Sequence, residues 1–221
     1  MLRIAACFLF VLCLTWPVAC NSSSAAVKVP DPATDSPLAK AKGSETAVLA
    51  GGCFWGIQAV FEHVKGVSSV TAGYSGGTGE TAHYETVSSG ATGHAESVKI
   101  VYDPSQISYG QLLKVYFSVA HDPTQLNRQG PDDGTQYRSA IFYAGEEQKR
   151  IAQAYIDQLN KARVFSGSIV TQVVPLKGFY AAEPYHQDYA VHHPNDLYIR
   201  INDLPKVEHL REQLPELYVN R

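Results

Sequence analysis

Cys53 is the residue in this sequence best placed to do chemistry. Four cysteines occur in 221 residues, and Cys7, Cys13 and Cys20 all fall within the first twenty. One thiol is left for the rest of the chain, so no disulfide can form within it. Cys53 follows Gly51-Gly52 and opens the run Phe54, Ile57, Val60, Phe61, Val64, whose three-and-four spacing is helical. A thiol at a helix start faces unpaired N–H groups and the positive end of the helix dipole, which favour the thiolate nucleophile. The two glycines would leave the approach to that sulfur free of side chains. The plain alternative is an inert core cysteine, because free cysteine is among the most buried residue types.

Other constellations suggest different chemistry. His186 and Asn202 lie downstream of Cys53 at separations near those of a papain-like cysteine hydrolase, in which Cys53 and His186 would form the ion pair. The CGSCW surroundings of such a nucleophile are missing. Eight histidines are densest at His186, His192 and His193, but that spacing matches no common zinc pattern and no metal is expected. No glycine-rich fingerprint follows a strand at nucleotide-binding spacing. A net charge of -3 gives no electrostatic reason to expect a nucleic-acid partner. A tethered module that holds a ligand between glycine loops and aromatics, without turnover, stays open.

The elements that must position Cys53 follow from periodicity and turn chemistry. TAVLA from Thr46 predicts a buried strand ended by Gly51-Gly52, and the helix from Cys53 stops near Gly66. Periodicity puts Phe54 on the core face of that helix and Trp55 off it. Five glycines between Ser75 and Gly93 predict loops. SVKIVY at Ser97 to Tyr102 alternates as a strand, and Ser108-x-x-Gln111 is a capping box opening a further helix. The polar stretch HDPTQLNRQGPDDGTQ is long for a loop in a compact domain. A strand at Arg138 to Tyr143, a helix at Glu146 to Lys161 and a strand at Ile169 to Val174 complete the pattern, with a short helical pattern from Pro205 to Leu217. This order predicts an α+β fold, a two-layer α/β sandwich with a ferredoxin-like core and an irregular C-terminal wrap.

The first twenty residues, MLRIAACFLFVLCLTWPVAC, carry a basic Arg3 and an apolar stretch too short to cross a bilayer, so residues 1–20 read as a signal peptide. Two processing routes fit: lipidation at Cys20 as a lipoprotein leader, or ordinary cleavage near Ser24-Ala25-Ala26. The protein is expected to be exported, either periplasmic or membrane-tethered. Residues 21–45, rich in Ser, Ala, Pro and Lys, predict a disordered tether. One folded domain at 46–205 and a helical tail at 206–221 would follow.

Longer motifs carry more information. GGCFWG at Gly51 to Gly56, GHAESVKIVYDP at Gly93 to Pro104, HDPTQLNRQGPDDGTQYRSAIFY at His121 to Tyr143 and YHQDY at Tyr185 to Tyr189 together resemble the A-type peptide methionine sulfoxide reductases. The resemblance spans about Ala47 to His193. It implies that Cys53 attacks the sulfoxide sulfur and that Glu96 protonates the departing oxygen, a step requiring a carboxyl kept neutral by its surroundings. It implies that Tyr84 and Tyr137 hold that oxygen with neutral hydroxyls and that Asp132 orients the site. Phe54 and Trp55 would form the aromatic wall receiving the S-methyl group.

Attack would leave Cys53 as a sulfenic acid. Many relatives carry a second, resolving cysteine near the C-terminus, whereas this chain ends LPELYVNR. The expectation is therefore no cofactor, a monomer, and an external thiol from a thioredoxin-like or glutaredoxin-like partner. The substrates would be oxidised proteins or free methionine sulfoxide.

Overall fold

The computed structural model describes residues 28–221, so the segment 1–20 read above as a signal peptide, Cys20 included, lies outside the described residues. The elements in chain order are β1 (Glu45–Ala50), α1 (Phe54–Glu62), β2 (Val67–Ser75), α2 (Tyr84–Val87), β3 (Ala95–Tyr102) and α3 (Tyr109–Val115). Then come β4 (Arg128–Gln129), β5 (Asp132–Asp133), β6 (Ala140–Tyr143), α4 (Glu146–Lys161), β7 (Gln172–Pro175), β8 (Phe179–Ala181), α5 (Tyr189–His192) and α6 (Leu204–Gln213). Six strands form one sheet in the order β7-β6-β1-β3-β2-β8, while β4 and β5 pair separately.

Within that sheet, β6-β1-β3-β2 is the antiparallel 4-1-3-2 arrangement of a ferredoxin-like core, with β3 between β1 and β2. Alternation along β1 explains the layering. Ala47 and Leu49 join the main core beneath the helices with Ile57, Phe61, Leu112 and Ile151. Val48 and Ala50 face the other side and pack with Ala95, Ala140 and Phe142. The capping box at α3 forms as its sequence predicts: Ser108 accepts from the Gln111 N–H, and the Gln111 side chain accepts from the Ser108 N–H at 3.0 Å.

Two strands of the six-stranded sheet escape the sequence reading, as do the two-residue β4 and β5 within the long loop. β2 buries Val67, Val70, Ala72 and Tyr74, but the serines, threonine and glycine between them mask the alternation. Only three residues long, β8 exists because Tyr180 pairs with Tyr74 across the sheet edge.

The segment predicted as a disordered tether is held down from residue 28 onward, although it forms no helix or strand before β1. Val29 is buried in the main core. Asp35 accepts hydrogen bonds from the Ser108 hydroxyl and the Gly110 N–H, Tyr155 donates to the Pro30 carbonyl at 2.6 Å, and Lys114 pairs with Asp31 at 2.7 Å. The composition rich in Ser, Ala, Pro and Lys predicted a disordered tether, whereas Pro30, Asp31 and Asp35 supply acceptors for donors on α3 and α4. The C-terminal stretch is equally integral. α6 buries Leu210 against α1, and the backbone of Val219 and Lys65 ties the end of the chain to the loop after α1. No boundary in the packing falls at residue 205.

Candidate active site

Cys53 is the residue immediately before α1, where β1 turns through Gly51-Gly52 into the helix. Gly52 has a φ of +97°, and a side chain there would meet Gln129 Cγ at 2.6 Å. The glycines therefore admit side chains of the long loop, His121 over Gly51 and Gln129 over Gly52, rather than leaving an open approach. The sulfur itself is buried, with 8% of the residue exposed.

Glu96 comes from β3, the strand beside β1. The register that sets Tyr74 opposite Glu96 turns its carboxyl toward the helix start. There Oε2 accepts the Phe54 N–H at 3.0 Å, beside the Cys53 thiol. Burial pushes Glu96 up to about 8, with the Phe54 N–H opposing the rise and Asp132 adding to it. The same burial pushes the Cys53 thiol well above its ordinary range, reinforced by Glu96 and Asp203 and countered by the Trp55 N–H and Lys206. Desolvation thus outweighs the helix terminus that was expected to favour the thiolate, and the resting sulfur is protonated beside a neutral carboxyl.

Around this pair the chain closes an aromatic chamber. Tyr84 starts α2, where its N–H donates to Glu183 Oε1 at 2.9 Å, while Glu183 Oε2 accepts from Tyr74 at 2.9 Å. Tyr137 ends a short 3-10 turn. Burial first, and then the nearby Glu96, raise both phenols, so both are neutral donors. Phe54 is buried and Trp55 half-buried. His186 sits 5.1 Å from the Phe54 ring, 5.7 Å from Trp55 and 4.4 Å from Tyr84, with both ring nitrogens unpartnered. The Trp55 indole N–H is also buried without a partner. Its ring stacks on Tyr189 at 3.8 Å and takes the edge of Tyr198 at 6.1 Å.

All seven residues nominated at the site (Cys53, Phe54, Trp55, Tyr84, Glu96, Asp132 and Tyr137) come together around α1. Asp132, in β5, accepts at Oδ2 from the Tyr198 hydroxyl. Sequence reasoning missed Tyr198, which is one of thirteen tyrosines with no local signal. Arg138 was also missed. Its guanidinium donates to the Gly93, His94 and Thr135 carbonyls, fastening the strand that carries Glu96 to the turn that carries Tyr137. Among the described residues, no group of three or more His, Cys, Asp or Glu is arranged to hold a metal.

A cysteine at the start of α1, bordered by aromatic rings and set beside a buried carboxyl, fits the residue pattern of one family, and the family model for peptide methionine sulfoxide reductase matches residues 45–217. The chain belongs to this family. It is 62% identical to the peptide methionine sulfoxide reductase MsrA 2 of Mesorhizobium japonicum over 80% of this chain and 91% of the relative. The MsrA 2 of Synechocystis is 56% identical over 84% and 87%. Among solved structures, methionine sulfoxide reductase A of Corynebacterium diphtheriae aligns with a TM-score of 0.60 at 37% identity, covering 70% of this chain and 77% of that one. The match spans the tail as well as the core, consistent with α6 packing on α1.

Membership in the reductase family displaces the hydrolase alternative, and the geometry gives the reason. His186 is packed among rings with no hydrogen-bond partner, and burial pushes its imidazole below its ordinary range, so it is a poor partner for a thiolate. Asn202 donates to the Tyr198 carbonyl at 3.1 Å rather than orienting a histidine.

Proposed function

We propose that Cys53 is the nucleophile and Glu96 the proton donor in thiol-dependent reduction of methionine (S)-sulfoxide, free or within proteins, to methionine. The observation that carries this assignment is the Glu96 carboxyl, buried beside Cys53, pushed up to about 8 by that burial and accepting the first N–H of α1 at 3.0 Å. The sulfoxide oxygen takes the place opposite the carboxyl, where Glu96, Tyr84 and Tyr137 donate to it. Cys53 sulfur bonds to the substrate sulfur as Glu96 delivers its proton to the oxygen. The thiol proton returns to the carboxylate, so the proton count closes. Oxygen passes to Cys53 as a sulfenic acid and methionine departs. An external thiol then forms a mixed disulfide with Cys53 and releases water, and a second thiol frees Cys53.

An external reductant fits this step, because Cys53 is the one cysteine among the described residues. A thioredoxin-like or glutaredoxin-like protein fits this step. The leader read in residues 1–20 supports an exported enzyme, periplasmic or held at the membrane through Cys20.

The test is mass spectrometry of enzyme treated with the S epimer and no reductant. The expected product is one oxygen, or its trapped adduct, on the Cys53 peptide, with one equivalent of methionine formed. An intrachain disulfide, or turnover surviving Cys53→Ser, would overturn the assignment.

A further inference from the structure

One charged pair takes no part in the chemistry above. Asp203, in the turn before α6, has a fully buried side chain whose Oδ1 meets Lys206 Nζ at 3.1 Å. Its other oxygen, Oδ2, is buried with no hydrogen-bond partner among the described residues. The remaining i,i+3 ion pairs differ: Lys149–Glu146, Arg150–Glu147 and Arg211–Glu208 all have both side chains roughly half or more exposed. Such surface pairs cost little to form. A buried carboxylate–ammonium pair loses its hydration and is at best neutral for stability, so packing alone gives no reason for it.

Its position gives one. Asp203 and Lys206 lie directly against Gly56, three residues after Cys53 on the same face of α1. A Cβ at position 56 would fall 2.7 Å from Lys206 Nζ and overlap Asp203 Oδ1. Glycine there lets the pair touch the helix one turn from the sulfur. The other titratable groups facing Cys53 are Glu96 from β3, Asp132 from β5, Tyr84 from α2, Tyr137 from its turn and Tyr198 from the C-terminal segment. His121 and His186 border the same space as neutral rings. Lys206 alone in this set carries a positive charge.

We propose that the Asp203–Lys206 pair is a positioning device for Cys53, in which Asp203 holds the Lys206 ammonium against the first turn of α1 so that its charge favours the thiolate over the thiol. The C-terminal segment thereby brings a positive charge to the nucleophile, with Asp203, the stronger of the two influences on the sulfur, acting against it. Asp203 opposes Lys206 electrostatically while fixing it in place, so the two residues should act on the sulfur with opposite signs.

The proposal rests on reading Cys53 as the nucleophile, which Cys53→Ser turnover tests separately. Its own test needs no turnover. The full-length protein and the Lys206→Met, Lys206→Arg and Asp203→Asn variants are treated with iodoacetamide at one fixed pH of about 8, and the rate of alkylation of the Cys53 peptide is followed by mass spectrometry. Lys206→Met should slow alkylation about tenfold, Lys206→Arg should restore the parental rate, and Asp203→Asn should speed it. Rates that coincide with the parent, or changes of one sign in both charge-removing variants, would overturn the proposal. Should Asp203→Asn fail to fold, the Met and Arg variants at position 206 decide it alone.

Discussion

Replacing Glu96 by glutamine should disable the enzyme and stabilise it, and the size of the second effect follows from burial. The carboxyl rises from an ordinary 4.5 to about 8 in the folded protein. A raised value means that the folded state binds the proton more tightly than the unfolded chain. The stability contributed by the neutral carboxyl is therefore whole below about pH 4.5 and is lost as the pH climbs through about 8. At pH 7 the unfolded carboxyl is ionised, and neutralising it for burial costs about 3 kcal/mol. Glutamine is neutral at every pH, and its carbonyl can still accept the Phe54 N–H that Glu96 accepts now. The stability difference between Glu96→Gln and the parent should rise from near zero at about pH 4.5 to about 3 kcal/mol at pH 7. Denaturant unfolding at both pH values measures it. Turnover of the S epimer should fall by about 10²- to 10⁴-fold, the range for loss of a general acid. A stability difference that does not change with pH, or a variant with parental turnover, would refute the argument that burial keeps this carboxyl protonated for catalysis.

Two further outcomes follow from contacts outside the reacting pair. Tyr198→Phe removes the hydroxyl that Asp132 accepts, and should lower kcat/KM for the S epimer by about tenfold, the loss of one hydrogen bond to a charged group; unchanged kinetics would mean that Asp132 needs no such anchor. Asp35→Ala strips acceptors from the Ser108 hydroxyl and the Gly110 N–H at the start of α3, and should lower stability by about 1–2 kcal/mol in thermal melts; a melt identical to the parent would restore the reading of this segment as a free tether.

Local chemistry made much of the molecule legible before any coordinates. The α3 capping box, the helix at Glu146–Lys161 and the placing of Cys53 between strand and helix depend on neighbours a few residues apart, which a sequence records directly. Motif resemblance named Glu96, Tyr84, Tyr137 and Asp132 without explaining how they meet. β2 was hidden because Ser68, Ser69 and Thr71 share it with its buried residues, and only pairing with β3 makes it a strand.

By itself, the sequence determined that one thiol stands at a helix start and that a carboxyl and phenols accompany it in a known order. Only the tertiary structure decided their protonation. Burial depth is the sum of everything packed around a group, and the elements that cover Cys53 and Glu96 come from β3, the long loop and a C-terminal segment more than a hundred residues away. A helix terminus visible in the sequence argued for a thiolate. The desolvation that reverses it, and the half-buried lysine that opposes that desolvation, exist only once the chain has closed over the sulfur.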